Sequence, residues 1–487
     1  MDYSRDRLEK CRRLYLQRDC VVTAKPTASE SKAIRRGQSR RLLCSQGQLY
    51  LSHMDPQRVE IPPPKLITAL RGYNLLPAIV FLPTRRRCDE AASEVALDKS
   101  QKTDPERQAK RQKIFDEFSV EYPEILDHKH SKVIVRAGVA AHHAGHIPSW
   151  KLLIEKMMSG GLLNALFATS TVAAGVDFPA RTVVITNADT RGNDGWRALT
   201  ASELQQMTGR AGRRGRDNVG FVVLAPGQFQ NPKKIAELLR APPDPLESRF
   251  RATYTSLLNL LDAFGNFEQV REIAEKSFAF RESRRQSADS RGDGGAEKLS
   301  DRIWQPFERR AQVLDHFEYL DYEAETVTET GKWLADLRID RPLLVGEALR
   351  RGVFDELKIS EAAGLMASVA SDADRSYGEM RATRGMTDIL ANFENIVTAV
   401  SNVEWKNGVE PAEEINFSAA AAAERWTAGM EWDELVDRTK AEEGDLVRLL
   451  SRTGEALRQL ANLRDSNPAA AAIARTAAEA ILREPVR

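Results

Sequence analysis

The sequence predicts an α/β domain built on a parallel sheet, followed by all-α structure with a small winged unit between them. Three observations predict it. From residue 61 to 227, short apolar runs rich in β-branched residues alternate with helical patterns. After Pro226 the periodicity turns helical, and from Leu343 onward the chain reads as almost continuous helix.

Ala78–Leu82, Val133–Val139, Leu162–Ala168, Thr182–Asn187 and Val219–Leu224 are the strand candidates. A helix is predicted over Pro148–Ser159, where proline suits a first turn and Gly160-Gly161 ends it. A more polar helix runs from about Glu106 to Glu121. Ala241-Pro-Pro-Asp-Pro245 reads as a linker and Leu246–Phe264 as the next amphipathic element. Residues 281–300 carry charge, serine and glycine without apolar anchors, which predicts a flexible connection. Val313–Leu320 followed by Thr326–Gly331 reads as a helix and a short hairpin, hence a winged helix. The alanine runs 419–423 and 469–472 are explained by helix propensity. The expected organisation is a basic, partly disordered arm over 1–60, the sheet domain over 61–240, linker and winged helix over 241–342, and a helical domain over 343–487.

At 487 residues and 42% hydrophobic composition, the chain can bury two to four cores, which excludes wholesale disorder. No apolar run approaches the ~20 residues of a membrane span, and MDYSRDRLEKCRR has no signal-peptide core, so a soluble cytoplasmic protein without membrane partners is expected. Cys11, Cys20, Cys44 and Cys88 form no CxxC pair, which argues against a zinc or disulfide framework. Net charge is only +1, but residues 1–50 hold 12 Lys/Arg against 5 Asp/Glu, leaving 59 against 65 elsewhere. Such an arm suits nucleic acid as well as it suits a solvated tail.

Residues 206–217 read QMTGRAGRRGRD, with Arg210, Arg213, Arg214 and Arg216 hinged by Gly209, Gly212 and Gly215. Guanidinium groups that approach from several directions fit a polyphosphate, because each planar fork donates to phosphate oxygens and stays charged. The strand pattern Val219–Leu224 follows at once and ties this loop to a sheet, unlike a loop that only aids solubility.

In their order along the chain, these segments resemble the C-terminal half of a superfamily-two helicase of the superkiller/exosome-associated DExH RNA helicase group. Ala78–Arg85 is similar to the family's fourth motif, Ala141-His-His-Ala-Gly145 to its histidine loop, Ala168–Pro179 to its fifth motif, and the arginine segment to its sixth. Leu246–Tyr254 with Leu257–Leu261 resembles the lead into the family's winged helix, and Glu443–Arg448 the signature of its C-terminal helical (DSHCT-like) domain. The resemblance implies a second RecA-like domain that clamps ATP and magnesium together with a first. It implies that Gln206, Arg210 and Arg213 face the triphosphate with Arg213 as arginine finger, and that Gly175 and Asp177 lie beside the nucleotide, Asp177 near its sugar. Thr84, Arg85, His143, Gly145, Thr169 and Thr171 are implied to line the path of a single-stranded nucleic acid, RNA rather than DNA.

The first domain of such enzymes needs a GxxxxGK[ST] loop and an acidic DExD/H segment, and neither is present in the sequence. Gly331-Lys332 is followed by Trp333, and Asp89-Glu-Ala-Ala92 has alanine where the second acid belongs, so it reads as a helix N-terminal turn. The expectation is therefore the translocation half of an ATP-dependent RNA helicase, inactive by itself, whose phosphate-loop domain lies in a separate chain or was lost by truncation. The alternative is a non-catalytic nucleic-acid-binding or scaffold protein derived from a helicase.

His142, His143 and His146 read as a strand-to-helix loop with one histidine touching phosphate, and no metal site is expected, because Pro148 delays the helix that a zinc-protease pattern needs. Of the tryptophans, 304, 333, 405, 426 and 432 are assigned mostly to cores. Over Gly444–Asn462, Asp445, Arg448, Arg452, Glu455 and Gln459 share one arc and Leu446, Leu449, Leu450, Leu457 and Leu460 the other. The outward Arg448 and Arg452 are candidates for nucleic-acid backbone contact, and a solvated face of charge pairs is the equal alternative.

Overall fold

Strands that are apolar at every position, rather than at alternate ones, need cover on both faces, and the sheet found here has it. A computed structural model describes residues 21–26 and 60–487 except 102–103, 174–177, 179, 193–194, 214, 216, 228, 249, 282–294, 373–374 and 412–413. The chain divides after Pro245 into two compact units.

In the first unit, α1 (Pro63–Gly72), β2 (Ala78–Phe81), α2 (Arg85–Leu97), α3 (Pro105–Glu121), α4 (Ser131–Ala137), β3 (Val139–His142), α5 (Pro148–Ser159), β4 (Ala165–Ala168), β5 (Thr182–Ile185), α6 (Ala201–Thr208), β8 (Val219–Leu224) and α7 (Pro232–Arg240) follow one another. β6 (Asp189–Gly192) and β7 (Gly195–Ala198) form a separate hairpin before α6. With β1 (Val21–Pro26) as an edge strand antiparallel to β8, the main sheet has the order β1-β8-β5-β2-β4-β3, its other five strands parallel. Chain order reverses across β2, the place where open α/β sheets bind ligands at their carboxyl ends. On one face Leu66, Ile67 and Leu70 of α1 and Cys88, Ala91, Ala92 and Val95 of α2 pack on Val80, Ala141, Phe167, Val184 and Val223. The alternating residues Ile79, Leu166 and Val183 are equally buried on the other face.

The helix predicted over Pro148–Ser159 is found, as is the one at Pro105–Glu121, which Asp104 caps by accepting from the Glu106 and Arg107 amides. The strand predicted over Val133–Val139 is corrected. Residues 131–137 form α4, Gly138 closes it in the left-handed region at φ 62°, and the strand begins only at Val139. The cause is tertiary: Arg111 of α3, itself buried, donates from Nε to the Val135 carbonyl (2.7 Å) and from Nη2 to that of Arg136 (3.3 Å). These are end carbonyls of α4, so a cation satisfies the groups a short helix leaves open.

The second unit begins with α8 (Tyr254–Phe264), α9 (Phe267–Lys276) and α10 (Gly295–His316). It continues with the hairpin β9–β10 (Leu320–Asp321 with Thr326–Val327), α11 (Glu329–Asp336) and α12 (Pro342–Arg350). The hairpin predicted over Thr326–Gly331 stops at Val327, because Thr328 accepts from the Gly331 amide and starts α11. Of the connection predicted over 281–300, residues 282–294 lie outside the described residues, and 295–300 belong to α10. Helices α13 (Ile359–Ala370), α14 (Arg384–Lys406), α15 (Phe417–Thr427), α16 (Trp432–Thr439), α17 (Glu443–Ala461) and α18 (Pro468–Ile481) complete the all-α part. The buried alanines 419–423 make α15 thin enough for close packing on α13, where a Cβ on Gly364 would stand 3.0 Å from the Ala420 carbonyl oxygen. Among the described residues no helix is long and apolar enough to cross a membrane.

Candidate nucleotide and nucleic-acid interface

The arginine segment leaves α6, a helix started by a reciprocal cap between Thr200 and Glu203. Gln206 on this helix is exposed. The following loop is fastened to the start of β5 and β8: the Gly212 amide donates to the Ala180 carbonyl (2.8 Å), and Ala211 pairs with Ala180. The fit needs two glycines. Gly212 sits at φ 89°, and a Cβ on Gly220 of β8 would stand 2.5 Å from the Ala211 carbonyl oxygen.

Arg210 donates from Nε (3.1 Å) and Nη2 (2.6 Å) to the Ala173 carbonyl, which ties the arginine segment to the one after β4. Arg213 lies fork to fork on Asp217, Nε to Oδ2 at 2.6 Å and Nη2 to Oδ1 at 3.0 Å. Arg181 donates to the same Oδ1 at 2.9 Å, and the Asp217 side chain is only 1% exposed. Burial by itself raises the Asp217 pKa, but the bonds from Arg213 and the charge of Arg181 outweigh it and hold the carboxyl below its usual range. Asp217 thus sets the direction of Arg213. The arginine-rich composition hid this residue, although Arg213 and Asp217 stand four apart. Gly175 and Asp177 lie outside the described residues.

At the other end of the parallel strands, Thr84 and Arg85 follow β2, His143 and Gly145 follow β3, and Thr169 and Thr171 follow β4, so topology gathers these candidates at one edge. Their side chains are not equally available. Thr84 caps α2 by accepting from the Arg87 amide, and Thr169 and Thr171 share a hydrogen bond of 2.9 Å. His143 is 1% exposed and Gly145 is buried, so the expectation that this pair is presented to a strand is corrected. The reason is Asp89. It is the fifth residue of α2, not part of its first turn as expected, and its Oδ1 receives Nε2 of His130 (2.9 Å), His143 (3.1 Å) and His146 (3.2 Å). Lys129 Nζ reaches Oδ2 at 2.7 Å. Burial opposes the Asp89 charge, yet these four donors hold its carboxyl far below the usual range. Burial pushes His146 down to about 4 and His142 to about 3, so both are neutral near pH 7. His142 takes no part in the cluster; its ring meets Phe178 edge-on.

In the second unit, α17 buries Leu446, Leu449, Leu450, Leu457 and Leu460 as the pattern requires. Its polar arc is mostly engaged. Asp445 pairs with Arg375, Glu455 accepts from Gln459, and Arg452, partly exposed, bridges Asp340 and Asp372. Arg448 is exposed and has no ion pair among the described residues. Trp426 and Trp432 are buried, whereas Trp405 is 75% exposed.

Residues 324–487 match the DSHCT (NUC185) domain. The chain is 38% identical over 231 residues to the chloroplastic DExH-box ATP-dependent RNA helicase DExH15 of Arabidopsis thaliana, covering 43% of this chain and 19% of that protein. It is 35% identical over 277 residues to superkiller complex protein 2 of Mus musculus, covering 54% and 21%. To the probable helicase HelY of Mycobacterium tuberculosis it is 33% identical over 220 residues, covering 44% and 24%. The chain spans about a fifth of the length of the curated relatives it matches.

Proposed function

We propose, from the match of residues 324–487 to the DSHCT domain and the similarity to superkiller complex protein 2, that this chain is the translocation half of a superkiller/exosome-type DExH RNA helicase, gripping single-stranded RNA and offering arginines to ATP held by a first RecA-like domain. The observation that carries the reading is the arginine loop. Two glycines fasten it to β5 and β8, Ala173 orients Arg210, and Asp217 orients Arg213, so the guanidinium groups are fixed before any nucleotide arrives. Positive charge fixed in advance suits phosphoryl transfer, where catalysis is mostly positioning and charge stabilisation. A pure binding module has no use for such a set. Arg213 is the finger in this proposal, Gln206 and Arg210 accompany it, and α8 to α11 with their hairpin act as the winged helix. ATP and magnesium bind only when a phosphate loop is supplied by another polypeptide segment.

Thr84, Arg85, Thr169 and Thr171 at the carboxyl edge of the sheet, and Arg448 on α17, are proposed to hold the RNA backbone. Contacts of this kind ignore base sequence. Binding of unrelated oligonucleotides is therefore expected to be alike and to weaken steeply with salt. Strong preference for one sequence, or binding indifferent to salt, would remove this part of the proposal.

A further inference from the structure

Three imidazoles converge on one carboxylate oxygen beneath the carboxyl edge of the sheet, and the hydrogen bonds there do not account for all the polar atoms. Asp89 Oδ1 lies 2.9–3.2 Å from three Nε2 atoms, although a carboxylate oxygen offers only two lone pairs. His143 and His146 stack with ring centroids 3.8 Å apart, and one ring nitrogen of each and a carboxylate oxygen of Asp89 all lie within 4.8 Å of one another. His130 and His146 are each left with a buried Nδ1 that has no partner. The side chains come from α2, from the turn before α4, and from the loop between β3 and α5, and they are 16% exposed for Asp89 and at most 3% for the histidines.

We propose that Asp89, His143 and His146 bind a zinc ion, through Oδ1 and the two Nε2 atoms, with water as the fourth ligand. Nitrogen and carboxylate ligands at about 2.0–2.1 Å in a tetrahedron stand about 3.3 Å from each other. The Asp89–histidine separations of 3.1 and 3.2 Å are already close to that edge. Oδ1 then gives one lone pair to the metal and the other to the His130 N–H, while Lys129 holds Oδ2, so the carboxylate is oriented from outside the coordination shell. Ligation makes Nδ1 of His143 a donor, and the 3.2 Å contact from the Gly145 amide is given up in exchange. The ion joins α2 to the β3–α5 loop, the two segments that flank the candidate RNA edge. The inference does not depend on the helicase reading.

The test uses the full chain without a polyhistidine tag, stripped with chelator and then loaded with zinc. About one zinc per chain is expected to survive dialysis and to raise the melting temperature, as for a site whose binding free energy is coupled to folding. His146→Asn is expected to lose both the retained zinc and the melting shift. Zinc retained by His146→Asn, or none retained by the natural chain, would overturn the proposal. Should the variant not fold, cobalt in the natural chain decides instead. A four-coordinate visible spectrum without a thiolate charge-transfer band supports the nitrogen and oxygen ligands, and a thiolate band would assign the metal to cysteine and overturn it.

Discussion

Replacing Gly220 with alanine strikes the point where the arginine loop meets the sheet. The new Cβ stands 2.5 Å from the carbonyl carbon and oxygen of Ala211 and 2.7 Å from the Gly212 nitrogen. Non-bonded carbon atoms settle at about 3.5–4.0 Å, so the loop has to withdraw by about 1 Å. All three atoms are backbone, and no side-chain rotation relieves them. Overpacking of this kind costs about 1–3 kcal/mol. For a domain of this size each kcal/mol moves the melting point by about 2–4 °C, so a loss of about 2–12 °C is expected. Withdrawal also breaks the Gly212–Ala180 hydrogen bond and the Ala211–Ala180 pairing, and turns Arg210 and Arg213 out of position. Gly72 is the control, since a Cβ there meets nothing within 4 Å and its backbone lies at the end of α1. Gly72→Ala is expected to be neutral or to stabilise by up to about 1 kcal/mol. Thermal unfolding followed by circular dichroism compares the two, and a Gly220→Ala protein that melts with the natural chain would refute the close approach on which the arginine loop depends.

Arg111→Met removes the cation from three backbone carbonyls, those of Val135, Arg136 and Leu162, and is expected to cost about 2–5 kcal/mol in denaturant unfolding; a loss under about 1 kcal/mol would separate the end of α4 from this side chain. Arg452→Ala opens two partly exposed ion pairs and is expected to cost about 0.5–2 kcal/mol. Arg448→Ala should leave stability within about 0.5 kcal/mol and lower the salt slope of single-strand binding by about 0.7. A reversal of these two phenotypes would exchange their roles.

Local signals are legible in the sequence and distant ones are not. Pro148 and Gly160-Gly161 delimit α5 because a helix start and stop are properties of adjacent residues. The apolar arc of α17 was legible for the same reason. The Val133–Val139 run is ambiguous in sequence because β-branched composition fits a strand or a short buried helix, and the deciding cation is 24 residues away. Asp89 meets its histidines across 41, 54 and 57 residues, a convergence that only the sheet topology creates. Arg452 finds Asp372 and Asp340 at separations of 80 and 112 residues, so helical periodicity showed its arc and not its partners. The β6–β7 hairpin has no sequence signature because it is only four residues long on each side and carries charged and glycine residues instead of an apolar run.

Nucleic-acid-stimulated ATP hydrolysis, with a phosphate-loop RecA-like domain from a related helicase supplied in trans, tests the central claim most directly. The purified chain by itself is expected to turn over negligibly, and the mixture to gain RNA-dependent activity. That activity is expected to fall by about 10³ or more in Arg213→Ala, with the fold retained and the melting temperature lowered because buried Asp217 loses its fork partner. Turnover by the chain alone, or an Arg213→Ala mixture as active as the natural one, would contradict the account.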